Sequence, residues 1–265
     1  MIPKVLALDF DGVLCDGLQE YFYSTQLAYG QLMPQTPRQD LTPWAQAFYH
    51  WRPIIETGWE MIVLLQALVL GCSEEDMMHH WPSVVAEILE REGWEPQSLM
   101  QRLDDVRDRQ IQENLTNWLG LHRFYPGVIE QLKGLTGSET SVYIITTKEG
   151  RFVQTLLAEQ GVNLAPQQII GKEIQQPKYQ TLSQILQQHQ IAPQELWFVE
   201  DLLKTLQKIQ QQASLKDIVL FLAEWGYNKP SDRDFVKAQS SLYSLSLDQF
   251  TSDFPQWLIP LPSSL

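Results

Sequence analysis

Two aspartates close an apolar run. In VLALDFDGVLCDG, residues 5–17, Asp9 and Asp11 follow residues that read as a short strand over 4–9. An ionised carboxylate is rarely buried unless it is paired or holds a metal. Residues two apart in an extended chain point the same way, so these two charges fall side by side. A divalent cation would neutralise them. Oxygen-only ligands suit Mg²⁺, a hard ion. A carboxylate can attack phosphorus to give an aspartyl-phosphate. A second carboxyl can protonate the leaving oxygen and then deprotonate the attacking water. Gly12 lets the backbone turn sharply and present N–H groups to an anion.

Other segments offer matching groups. Thr146 and Thr147 follow the apolar run of SVYIITT (141–147), and Glu200 and Asp201 close LWFVED (196–201). Lys178 stands just before YQTLSQIL. Thr146 could hydrogen-bond a phosphoryl oxygen, Lys178 could neutralise developing negative charge, and Asp201 could complete a metal's shell. To converge, these residues must sit on one edge of one sheet. The pattern from residue 124 onward predicts that sheet. FYPGVIEQLKGL opens a helix at Pro126–Gly127, and strands at 141–147, QQIIG, 196–201 and within 217–228 alternate with helices at 149–161, KYQTLSQILQQHQ and LLKTLQKIQQQ. Such alternation implies a mostly parallel sheet covered on both faces. Ligands of these sheets bind outside the carboxyl ends of the strands.

Between the first strand and residue 124 the periodicity is helical throughout, with Pro, Gly, Ser, Thr or Asp at nearly every break. This predicts an all-helical insert. Within it, WRPIIETGWE spaces Arg52, Glu56 and Glu60 four apart, as on one face of a helix. That spacing fits an ion-pair ladder on a solvated face. Arg52 is also a candidate to grip the far end of a substrate. The five histidines show no metal spacing joined to a carboxylate pair, and His79 and His80 read as surface residues. Lys148 reads as a solvated helix-start residue that could also meet an anion. The aromatics of EWGYN (224–228) read as packing.

DFDGVLCD, IITT, the lysine of QQPKYQTL and FVED resemble, in that order, the four motifs of the haloacid dehalogenase-like hydrolases. The resemblance covers about residues 1–16 and 124–228. It implies Asp9 as nucleophile, Asp11 as general acid/base, Thr146 as phosphate binder and Lys178 as the charge-stabilising lysine. It also implies a Mg²⁺ site at Asp9, Asp11 (through its backbone carbonyl), Glu200 and Asp201. Gly12, Thr146, Thr147, Lys178 and Arg52 are the substrate- and phosphate-binding candidates. Thr205 stands where many relatives carry an acidic residue, while the Glu200–Asp201 pair resembles a variant in which Glu takes the second metal-shell role. The implied fold is α/β, a three-layer Rossmann-like core with a mostly parallel sheet plus an all-helical cap. The core is 1–16 and 124–265; the cap is 17–123, a lid inserted after the first strand and longer than usual.

Composition narrows the partners. The 265 residues carry a formal net charge of −13, which repels a nucleic-acid backbone, and no basic patch offsets it. An acidic protein acting on a phosphate ester needs a cation to bridge the two. No run of the sequence reads as a membrane span or signal peptide, and the two cysteines, Cys15 and Cys72, fit a reducing compartment. The expectation is a cytoplasmic, Mg²⁺-dependent phosphomonoester hydrolase, monomer or homodimer, acting on a small phosphorylated metabolite. A phosphosugar mutase of the same superfamily and a non-catalytic binding or assembly protein are the alternatives.

Overall fold

The computed structural model describes residues 2–33 and 40–260. Eight strands are described: β1 (Val5–Leu8), β2 (Cys15–Asp16), β3 (Arg123–Phe124), β4 (Ser141–Ile145), β5 (Ile169–Ile170), β6 (Leu196–Glu200), β7 (Val219–Ala223) and β8 (Tyr243–Leu245). Six form one sheet in the order β5-β4-β1-β6-β7-β8. Every pairing in it is parallel. β2 and β3 form a separate antiparallel pair.

The chain divides into two units, one of Met1–Asp16 with Arg123–Leu265, the other Gly17–His122. In the first, β1 lies between β4 and β6. Its residues are wholly buried because helices cover both faces, which is why the run reads as continuously apolar. Val5 and Ala7 join Leu196, Phe198, Leu182, Leu206 and Leu220 in one core. The alternate residues face the other way. There Trp197 packs against Phe221 at 5.2 Å and Trp257 at 5.9 Å, so the C-terminal segment closes that side.

The second unit carries helices α1 (Leu18–Leu32), α2 (Ala45–Trp51), α3 (Glu60–Leu70), α4 (Glu74–His79), α5 (Trp81–Glu92) and α6 (Pro96–Leu119), and no strand is described within it. The first unit supplies α7 (Val128–Leu135), α8 (Gly150–Glu159), α9 (Lys178–His189), α10 (Leu203–Gln210), α11 (Pro230–Lys237), α12 (Leu247–Phe250) and α13 (Phe254–Trp257). No helix among the described residues is long and apolar enough to cross a membrane.

One expectation fails here. Arg52, Glu56 and Glu60 do not share a helical face. Arg52–Ile54 is a 3₁₀ turn, Ile55 is extended (φ −83°, ψ 130°), and α3 begins only at Glu60. The reason lies in Thr57-Gly58-Trp59-Glu60, a Thr-x-x-Glu start signal. The Glu60 carboxylate turns back to accept from the Thr57 N–H (3.0 Å) and hydroxyl (2.6 Å), and from the indole N–H of Trp81 (2.8 Å). It is a buried anchor rather than a rung of a solvated ladder.

Candidate functional site

The sheet order explains the convergence. From β1 the chain builds outward through β4 and β5 on one side, then through β6, β7 and β8 on the other. The order therefore reverses at β1, the place where such sheets open a crevice. Register completes the alignment. Leu8 pairs with Ile144 and with Val199, so the residues just past three adjacent strands lie at one level.

Asp9 leaves β1 with its N–H donated to Val199 O at 2.9 Å. The chain then folds on itself, Phe10 O accepting from the N–H groups of Leu14 and Cys15. Gly12 adopts φ +84°, a left-handed conformation. A Cβ there would lie 2.0 Å from Asp201 Oδ2, so an unsubstituted residue is needed for the close approach as well as for the turn.

Lys178, the first residue of α9, points its ammonium between two carboxylates. Nζ lies 2.8 Å from Asp9 Oδ1 and 2.7 Å from Glu200 Oε2. The other Glu200 oxygen accepts from the N–H groups of Asp201 (3.2 Å) and Leu202 (3.0 Å). Asp201 Oδ2 accepts from the Tyr227 N–H at 2.8 Å. Burial is the largest influence on these groups. It pushes Asp9 up to about 7, against the pull of Lys178 and with a further push from Glu200. It likewise raises Glu200 to about 7, again opposed by Lys178. Burial acts to lower Lys178, but the charges of Asp9 and Glu200 outweigh it and hold the ammonium well above its ordinary range.

Oxygens of Asp9, Glu200 and Asp201 all lie within 4.8 Å of one another, and all three residues are buried. Three carboxylates face one ammonium, leaving an excess of negative charge that suits a divalent cation. The donors are all oxygen, as a hard ion prefers. Asp11 takes another course: its Oδ1 lies 3.3 Å from the ammonium of Lys148. Thr146 is buried, donates its N–H to Ile170 O (3.0 Å), and accepts from the Lys148 N–H at Oγ1 (3.1 Å). Thr147 is exposed on the same turn. Arg52 lies in the 17–122 unit and is engaged there, donating to Ile55 O at 3.2 Å with its guanidinium 5.2 Å from the Tyr21 ring centroid.

Two features of the site read mainly as something else in the sequence, Lys148 as a solvated helix-start residue, whereas its side chain is only 9% exposed, and the EWGYN loop as packing. Lys148 is the partner of Asp11, and its position two residues after Thr146, on the same strand-end turn, was the available signal. The loop Trp225–Tyr227 holds Asp201, and its signal was a glycine just beyond a strand of the same sheet edge.

Fold and site together define a parallel α/β protein with an acidic cluster at the switch point of its sheet. Residues 71–212, more than half of the chain, match the haloacid dehalogenase-like hydrolase family, and the chain belongs to it. A search of curated proteins returns no match. Among solved structures, it is similar to a predicted phosphoglycolate phosphatase from Haemophilus somnus, with 17% identity, 85% of this chain and 87% of that chain covered, and a TM-score of 0.55. A hydrolase of the haloacid dehalogenase-like family from Streptococcus pneumoniae shows 16% identity over 92% and 93% of the two chains, TM-score 0.54. A predicted phosphatase from Clostridium acetobutylicum shows 12% identity over 95% and 97%, TM-score 0.56. At these identities the likeness is one of fold.

Proposed function

We propose that the protein is a Mg²⁺-dependent phosphomonoester hydrolase that works through an aspartyl-phosphate on Asp9. The observation that carries this reading is the buried meeting of Asp9, Glu200 and Asp201 around Lys178. Asp9, Asp201, Glu200 and the Asp11 carbonyl would hold the ion, which when bound supplies positive charge to draw in an anionic substrate.

The rest is the work of side chains. Asp9 attacks phosphorus as the bond to the leaving oxygen breaks, and Asp11 gives its proton to that oxygen. Asp11, now ionised, takes a proton from water. The water oxygen then attacks phosphorus, releasing inorganic phosphate and restoring Asp9. Lys178 binds Asp9 Oδ1 and so fixes the carboxylate's rotamer, leaving the second oxygen for attack. Thr146 and Gly12 serve as phosphate contacts. Lys148, 3.3 Å from Asp11 Oδ1, orients the Asp11 side chain and pairs with its charge once the proton has been given. The unit 17–122 is a cap, and Arg52 is its candidate substrate contact. The substrate class is a small phosphorylated metabolite, in a protein read as cytoplasmic.

The test is release of inorganic phosphate from a generic aryl phosphate, with Mg²⁺ and with chelator. The reading predicts turnover only with the cation, and none in Asp9→Asn while its fold is retained. Full activity in Asp9→Asn would end the assignment of Asp9. Transfer of phosphate between positions of a sugar, without release, would favour a mutase instead.

A further inference from the structure

The loop after β7 reaches the segment after β1 at two points and Asp201, just past β6, at a third. The Trp225 indole N–H donates to Val13 O at 3.0 Å. The Tyr227 hydroxyl donates to Asp16 Oδ1 at 2.8 Å, while the N–H of the same residue donates to Asp201 Oδ2 at 2.8 Å. Between them sits Gly226, where a Cβ would lie 2.3 Å from Asp201 Cβ and 2.5 Å from Gly12 O. The loop thus grips the Asp201 side chain and the turn carrying Asp9 and Asp11 at once.

The loop is itself firmly held. Asn228 Nδ2 donates back to Ala223 O at 2.8 Å, and the Trp225 ring lies 5.5 Å from that of Phe250. Tyr227 is buried. Carboxylates gathered for a cation repel one another until it binds, so their spacing has to come from elsewhere. Partners one shell out from metal ligands supply that kind of restraint.

We propose that Trp225 and Tyr227 are positioning residues that clamp Asp201 to the Asp9–Asp16 turn and thereby set the affinity of the site for a divalent cation. The proposal rests on the cation reading of the site and adds the residues that pre-form it. It assigns a role to the aromatics of EWGYN beyond packing.

The test uses the full chain and Mn²⁺ as the probe, free ion being counted by electron paramagnetic resonance. Tyr227→Phe keeps the ring and removes the hydroxyl that meets Asp16, and Trp225→Phe keeps a smaller aromatic ring and removes the indole N–H that meets Val13 O. Each is expected to weaken Mn²⁺ binding roughly three- to tenfold, short of the full range for an immediate outer-shell partner because the Tyr227 N–H survives. Ser244→Ala is the control. It removes a 2.6 Å bond to Glu224 at the same loop without touching the turn, and should leave the affinity unchanged. Unfolding midpoints in chelator are measured alongside. Lower midpoints with unchanged Mn²⁺ affinity in both Phe variants would overturn the clamp and leave the cation reading standing. An equal loss of affinity in Ser244→Ala would also overturn the clamp. If the unaltered protein takes up no Mn²⁺, both readings fall together.

Discussion

Lys178→Met is the perturbation whose outcome the site geometry specifies most fully. The substitution keeps most of the side chain's volume and removes the ammonium lodged 2.8 Å from Asp9 and 2.7 Å from Glu200. Two buried carboxylates then face each other without their cation. Removing one partner of a buried ion pair typically costs about 3–5 kcal/mol. For a chain of this size that corresponds to a fall of roughly 10 °C in the unfolding midpoint. The loss should depend on pH. Burial already raises Asp9 and Glu200 to about 7 with the lysine in place, and without it both rise further. A carboxyl whose pKa is higher folded than unfolded favours the folded state at low pH, and this advantage disappears as pH rises through the folded value. In the variant, protonation relieves the repulsion near pH 5 and progressively less as pH rises. Thermal unfolding in chelator should therefore show a small deficit at about pH 5 and a clearly larger one at about pH 8. An equal deficit at both, or none at either, would refute the claim that this ammonium compensates two buried charges.

Two further predictions concern the cation and the turn. In the unaltered protein without metal, the raised pKa values of Asp9 and Glu200 make this site's contribution to stability decline between about pH 4 and 7. A bound cation takes the place of the protons, so stabilisation by excess Mg²⁺ should grow over that interval; a Mg²⁺ effect that shrinks with rising pH would contradict it. Gly12→Ala meets both φ +84° and a contact of 2.0 Å with Asp201 Oδ2. It should cost about 1–3 kcal/mol in urea unfolding and weaken Mg²⁺ binding together, whereas a neutral result would remove Gly12 from the site.

The parts legible in the sequence are those whose signal is local. β1, β4 and β6 are buried on both faces and so read as unbroken apolar runs, with their chemistry at the ends. α1, Leu18–Leu32, falls in the region whose periodicity reads as helical throughout. What escaped depends on tertiary contacts or on very short elements. β2 and β3 have two residues each, too few for any period, and they pair across more than a hundred residues. β8 is a three-residue strand with Tyr243 exposed, and α12 and α13 have four residues apiece. The break before α3 hid behind charges spaced four apart, although Thr57 and Glu60 carried the start signal. Tyr227 meets Asp16 from 211 positions away, a contact that no local pattern encodes.

The account depends most on Asp9 becoming the carrier of the phosphoryl group. The direct measurement is a rapid acid quench of the protein turning over a ³²P-labelled phosphate ester with Mg²⁺, followed by peptide mapping. The account predicts label on the peptide containing Asp9, lost in Asp9→Asn and chased off by excess unlabelled substrate. Steady turnover with no labelled peptide at any quench time, or label on a peptide lacking Asp9, would contradict it.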